Sequence, residues 1–203
     1  MDRSVSQEKF MAKPLAAALV AAIIAGVAPA RGAEILDSAF THFDAKHCRH
    51  KPGRDVEDYG SWRCAGYGGI VVWLAAGDQR MFVSFGPHAA DELATAQTFP
   101  AFNDAYEGTI EWRLERRPDG RMHPFAAIMR WNVRIDADDD GHPRGRYLVV
   151  TRLGPGGVCW VGTVFANGDP NANAAARAIA DQQARAFRCG IDKPQGSADS
   201  SSK

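Results

Sequence analysis

Three histidines and a carboxylate crowd the stretch His42 to His50 (HFDAKHCRH), and imidazole and carboxylate are side chains that hold transition metals. Lys46, Arg49 and Lys51 interleave with them and repel a cation, so the stretch reads as a solvated polar loop. A second run, Asp136 to Gly141 (DADDDG), opens like a calcium loop, with carboxylates at alternate positions and a turn glycine. Its twelfth position is Tyr147 where a bidentate Glu is required, and it joins two strands where a calcium-binding hand joins helices. An acidic hairpin turn is the expectation. No metal site and no cofactor is assigned.

Covalent catalysis finds little to work with. Ser84 in FVSFG lacks the first glycine of a nucleophile elbow, and no neighbouring pattern nominates His88 as its base. Asp136, Asp138 and Glu111 can be combined as acid and base, but a chain with 24 acidic residues offers many such combinations. No catalytic residue is assigned.

Arginine is the more informative side chain. Arg113, Arg130, Arg134 and Arg152 fall on the polar phase of strands expected to be neighbours, with Glu111 and Asn132 in the same phase. Together they would make a guanidinium-rich sheet face able to grip carboxylates or phosphates through forked hydrogen bonds. The plain alternative is an ordinary solvated face. Tyr59, Trp62 and Tyr67, set among glycines at 60, 66, 68 and 69, form a candidate aromatic recognition loop, or else cap a small core.

The elements that would carry these residues follow from alternation. Ile110, Trp112 and Leu114 face one way and Glu111, Arg113 and Glu115 the other; Phe125, Ala127, Met129, Trp131, Val133 and Ile135 form a second apolar row. Further strands are expected at Ile70 to Leu74, Arg80 to Phe85, Arg146 to Leu153 and Val158 to Phe165, with a hairpin turn at Gly77-Asp78. Asp169-Pro170 opens a helix expected to run from Asn171 to Phe187, with Ala172, Ala175, Ala176, Ile179 and Phe187 toward one side and Arg177, Asp181 and Arg185 away from it. Short connections imply antiparallel neighbours. The expected fold is α+β: a single domain with an antiparallel sheet and one long C-terminal helix packed on it.

The ends of the chain suggest its compartment. Arg3, Lys9 and Lys13, an apolar run from Leu15 to Val27 and small residues thereafter have the build of an export signal, expected at residues 1 to 30, with cleavage after Ala30 or alternatively Ala33. Met11 is an alternative start. The run is about thirteen residues, where a membrane span needs about twenty, so no stable membrane anchor is expected. Residues 31–194 form the domain, and the serine-rich 195–203 is expected to be disordered. The leader holds three of the 24 basic and two of the 24 acidic residues, leaving 21 against 22. A balance so near neutral argues against nucleic acid held by bulk charge.

Cys48, Cys64, Cys159 and Cys189 make an even count in a chain bound for an oxidising compartment, and two disulfides are the leading reading. Local pairing, Cys48 with Cys64 and Cys159 with Cys189, is the favoured one of three. A strand of about eight residues rises roughly 26 Å and a helix of about eighteen climbs roughly 27 Å. Laid antiparallel, the helix returns Cys189 to Cys159.

Four segments in order, SWRCAGYGG (Ser61 to Gly69), DQRMFVSFG (Asp78 to Gly86), GRYLVVTRLG (Gly145 to Gly154) and CWVGTVFANGDPNANAAARAIAD (Cys159 to Asp181), resemble a group of exported proteins of alphaproteobacteria, rhizobia and their relatives in particular. The resemblance covers most of the mature chain and implies export and two disulfides; it carries over no activity and no catalytic residue. The expectation for function is a periplasmic, non-enzymatic binding domain that contacts an envelope protein or anionic envelope glycan. Two alternatives stand beside it: a periplasmic hydrolase with dispersed carboxylates and histidines, and an inhibitor of a secreted hydrolase such as lysozyme.

Overall fold

A computed structural model describes residues 36–55, 58–134 and 144–196. The leader, the acidic run Asp136 to Gly141 and the tail from residue 197 lie outside them. Among the described residues, strands form two antiparallel sheets. The larger has the order β1-β7-β8-β9-β10: β1 Leu36–Asp44, β7 Glu107–Arg116, β8 Met122–Arg134, β9 Arg144–Arg152 and β10 Cys159–Phe165, with the two-residue β6 (Asn103–Asp104) also on β8. The smaller runs in sequence order: β2 Arg49–Lys51, β3 Asp58–Ala65, β4 Val71–Gly77 and β5 Arg80–Phe85.

Period-two alternation explains how the sheets stack. Ile110, Trp112 and Leu114 of β7 and Ala127, Met129, Trp131 and Val133 of β8 are buried in one cluster with Val72, Leu74, Val83 and Phe85 of the smaller sheet. The opposite face of the larger sheet takes a helix. Ala172, Ala176, Ile179, Ala180 and Ala184 pack there with Ile128, Leu148, Val150 and Val161. Gly162 of β10 lets this element close in, since a Cβ there would stand 3.2 Å from Ile179 and 2.9 Å from the carbonyl of Gln195. The result is α+β, with antiparallel sheets, a C-terminal helix on one of them and two disulfides, Cys48–Cys64 and Cys159–Cys189. The pairing is the local one, and the two bridges point to an oxidising environment. No helix among the described residues is long and apolar enough to cross a membrane.

Several expectations are corrected. The helix is α-helical only over Ala172–Ile179 (α1), then widens into a π turn at Ala180–Ala184, so it is not one continuous α-helix to Phe187. Phe125 leaves the apolar row assigned to it: opposite β7 the register jumps from Ala126 to Pro124, and this bulge turns Phe125 to the helix side. The hairpin turn sits one residue later, at Asp78 and Gln79, both with positive φ (48° and 56°). The stretches read as loops around His42 and Tyr59 are largely strand, β1, β2 and β3, joined in part by a one-turn 3-10 segment at Ala45–His47. Gln195 and Gly196, placed in the disordered tail, are bonded to β10: Gln195 donates to the Val161 carbonyl and accepts from Thr163 N–H, each at 2.9 Å.

Candidate functional site

Directly opposed residues of an antiparallel pair share one face. On the helix side of the larger sheet, register aligns Ser38, Arg113, Ala126 and Arg152 in one row and Phe40, Glu111, Ile128 and Val150 in the next. Beyond these come His42 opposite Thr109 and Arg130 opposite Leu148. The polar phase read from the sequence is therefore real, but it is a half-roofed face instead of an open one.

Under the roof the charges are consumed. Arg113 is 8% exposed, and its Nε and Nη2 donate to the two carboxylate oxygens of Asp181, each at 2.8 Å. Its Nη1 donates to the Asp37 carbonyl at 3.1 Å and also to Ser38 Oγ. Ser38 in turn donates to Glu111 Oε1, and Arg177 Nε donates to the same oxygen at 2.6 Å. That hydrogen bond to Glu111 is the first reason the Arg177 guanidinium titrates above its ordinary range; burial opposes it. Arg185 continues the seam, 3.7 Å from Glu115 and 4.4 Å over the Phe125 ring. Arg152, also buried, donates to the carbonyls of Pro155 and Gly157 and so holds its own loop. Arg134 lies 5.4 Å over the Phe102 ring.

Arg130 is the exception. It is half-buried, and among the described residues its side chain makes no hydrogen bond or ion pair. It lines a cleft of about 280 Å³ between the sheet and the start of α1, with Phe40, Glu107, Thr109, Glu111, Asn132, Asn173 and Arg177 around it. Ile128 and Leu148 supply apolar lining, and Phe40, 59% exposed, also borders the cleft. Asn132 is held by a 2.8 Å hydrogen bond to Asp104. The arrangement offers a forked cation, amides, a hydroxyl and an aromatic ring in one concavity, a donor set for a small polar anion.

The other candidates scatter. Trp62 stacks on His50 (centroids 4.7 Å apart) and meets Tyr106 edge-on at 5.5 Å; Tyr67 packs against the main core near Trp112; only Tyr59 of the three stays exposed. Burial, aided by the charges of Tyr59 and Asp104, pushes the Tyr106 phenol above its ordinary pKa. Around the first disulfide, His42, Asp44 and His47 line one hollow, but Asp44 caps the Ala45–His47 turn through Lys46 N–H at 2.9 Å and its other oxygen stands 3.4 Å from His47. No group of three metal-capable side chains assembles among the described residues. Ser84 is fully buried and its hydroxyl has no partner among the described residues. The acidic run Asp136 to Gly141 lies outside the described residues.

Sequence reasoning missed Phe40, Thr109, Asn173 and Arg177 as cleft residues. The available signal is the i, i+4 spacing of Asn173, Arg177, Asp181 and Arg185, a polar stripe whose last three residues the periodicity turns away from the packed side. Comparison of the chain with protein-family models, with curated proteins and with solved structures returns no match.

Proposed function

We propose that the chain is an exported, non-enzymatic binding domain that holds a small carboxylated ligand of the cell envelope, a uronic-acid-type sugar, in the cleft around Arg130. The observation that carries this reading is the guanidinium of Arg130, half-buried and forming no ion pair among the described residues, on a face where Arg113 and Arg177 are each matched to a carboxylate. A desolvated, unpaired guanidinium is unfavourable by itself, and a carboxylate arriving as a fork relieves it. Thr109, Asn132 and Asn173 suit sugar hydroxyls, and the exposed Phe40 ring suits the C–H face of a pyranose. The volume fits about one sugar residue, at the small end of ligand pockets.

Catalysis has less support. Glu111, the buried carboxylate of the cleft, is held by Ser38 and Arg177, and Ser84 is shut inside the protein. The two disulfides, the leader-like N-terminus and the resemblance to exported proteins support an extracytoplasmic setting.

The test is an NMR titration of the disulfide-bonded protein with galacturonic acid, with galactose as the neutral control. Galacturonic acid is expected to shift Thr109, Arg130 and Asn173 resonances, and Arg130→Gln to weaken it by roughly ten- to a hundredfold, the loss of one charge-assisted hydrogen-bond pair. Affinity unchanged in Arg130→Gln sinks the proposal. Cleavage of galacturonate oligomers would replace it with the hydrolase reading, and stoichiometric inhibition of lysozyme with the inhibitor reading.

A further inference from the structure

The outer face of the smaller sheet carries a different pattern, independent of the Arg130 cleft and sharing no residue with it. Register sets Arg49, Arg63 and Trp73 directly opposite one another across β2, β3 and β4, and Lys51, Ser61, Ala75 and Phe82 in the adjacent row. Two arginines directly opposed across a strand pair repel, an arrangement that costs stability without an anion between them. Arg49, Lys51 and Arg63 are all exposed, and among the described residues none of their side chains makes a hydrogen bond or ion pair. They line a hollow of about 430 Å³ with His50, Pro52 and Ser61, and among the described residues no carboxylate borders it.

From this geometry we infer that this face is a binding site for an extended acidic polysaccharide. Three cations on two neighbouring strands give successive contacts to a chain whose charges repeat. Trp73 continues the Arg49 and Arg63 row, and the step from Arg49 to Trp73 is two strand spacings, roughly 10 Å and about two sugar residues. Trp73 and Phe82 are half-buried on this face, so they offer apolar contact area for a sugar instead of protruding anchors that would enter a bilayer. Three cations also fall short of the four to eight that mark a headgroup-binding cluster. A disulfide-bonded domain with balanced charge is poorly matched to nucleic acid.

Fluorescence anisotropy of a labelled short oligogalacturonate, titrated with the disulfide-bonded protein, tests the inference. Binding is expected to weaken with added salt, to be absent with labelled dextran, and to fall at least about tenfold in the Arg49→Ala/Arg63→Ala double variant. Trp73→Leu is expected to weaken it less and without changing the salt dependence. Arg130→Gln is expected to leave it within about twofold, which separates this site from the cleft. Because the substitutions remove a like-charge opposition, the thermal midpoint of the double variant should equal or exceed that of the parent, so loss of binding cannot come from unfolding. Equal affinity for dextran, unchanged affinity in the double variant, or preference for equimolar phosphatidylcholine and phosphatidylglycerol vesicles over the oligosaccharide would each overturn it.

Discussion

Arg113 and Arg130 project from the same face of the same sheet, on adjacent strands, and meet opposite circumstances. Arg113 is enclosed and forked onto Asp181, whereas Arg130 faces a cleft in which it forms no ion pair among the described residues, the Glu111 carboxylate there being held by Ser38 and Arg177. The difference lies in the helix above them. Its stripe Asn173, Arg177, Asp181 and Arg185 lies over the β7 series Thr109, Glu111, Arg113 and Glu115, and charges answer one another at three positions: Arg177 with Glu111, Asp181 with Arg113 and Arg185 with Glu115. At the fourth, Asn173 and Thr109 are both neutral and both line the cleft. Where the seam has charge it fastens the helix; where it lapses it leaves a cation and room for a ligand.

The sharpest way to break this comparison is to truncate both arginines and measure urea unfolding. Arg113→Ala should destabilise by about 3 kcal/mol, because Asp181 and Glu111 then keep partly buried charge without a full partner. The figure is at the low end of that class since the Asp181 side chain is 24% exposed. Arg130→Ala should move stability by less than about 0.5 kcal/mol. Equal losses would show that Arg130 is also structural, and the cleft would lose its free cation.

A slightly smaller effect probes the apolar side of the same helix. Ile179 is 7% exposed and sits in the cluster with Ile128, Leu148 and Val161. Ile179→Ala should cost roughly 2.5 kcal/mol in the same assay. A change under half a kilocalorie would mean that the ionic seam alone holds the helix, contrary to the burial that brings Asp181 to Arg113.

Much of this framework could be read from the residues, and the reasons for success and failure are physical. Alternation in β7 and β8 has a period that only a strand satisfies, and the return of Cys189 to Cys159 follows from element lengths, so strands and disulfides were legible. Alternation assigns a face, however, and says nothing of what covers it. The pattern puts Arg113 and Glu111 in the right phase, but it cannot show that the polar stripe of the helix closes over them. The Phe125 bulge did leave a trace: Pro124 cannot donate to the ladder, and a proline within a strand marks an edge or a bulge. Half of the smaller sheet, β4 and β5, is legible from the residues, but the glycines between Tyr59 and Gly69 make β3 look like a loop, and the opposition of Arg49 and Arg63 goes unseen with it.

The smallest expected effect tests the lapse in the seam itself. Asn173→Asp brings a carboxylate into the cleft that Arg130 lines, in the first turn of α1, where a negative charge also meets the positive end of the helix. Stability should rise by about 0.5 to 1 kcal/mol at neutral pH, while galacturonic acid binding should be lost because the guanidinium is occupied. The sign with pH is fixed. Both neighbours favour the ionised form, so the introduced carboxylate has a folded pKa below its unfolded value of about 3.9. The gain is therefore fully present above that value and disappears as pH falls through the lower, folded one. Asn173→Ser keeps the position neutral and should produce neither change. If Asn173→Asp leaves both stability and galacturonic acid affinity where they were, position 173 does not complete the charge pattern, and the match between helix stripe and β7 ends one turn earlier than proposed.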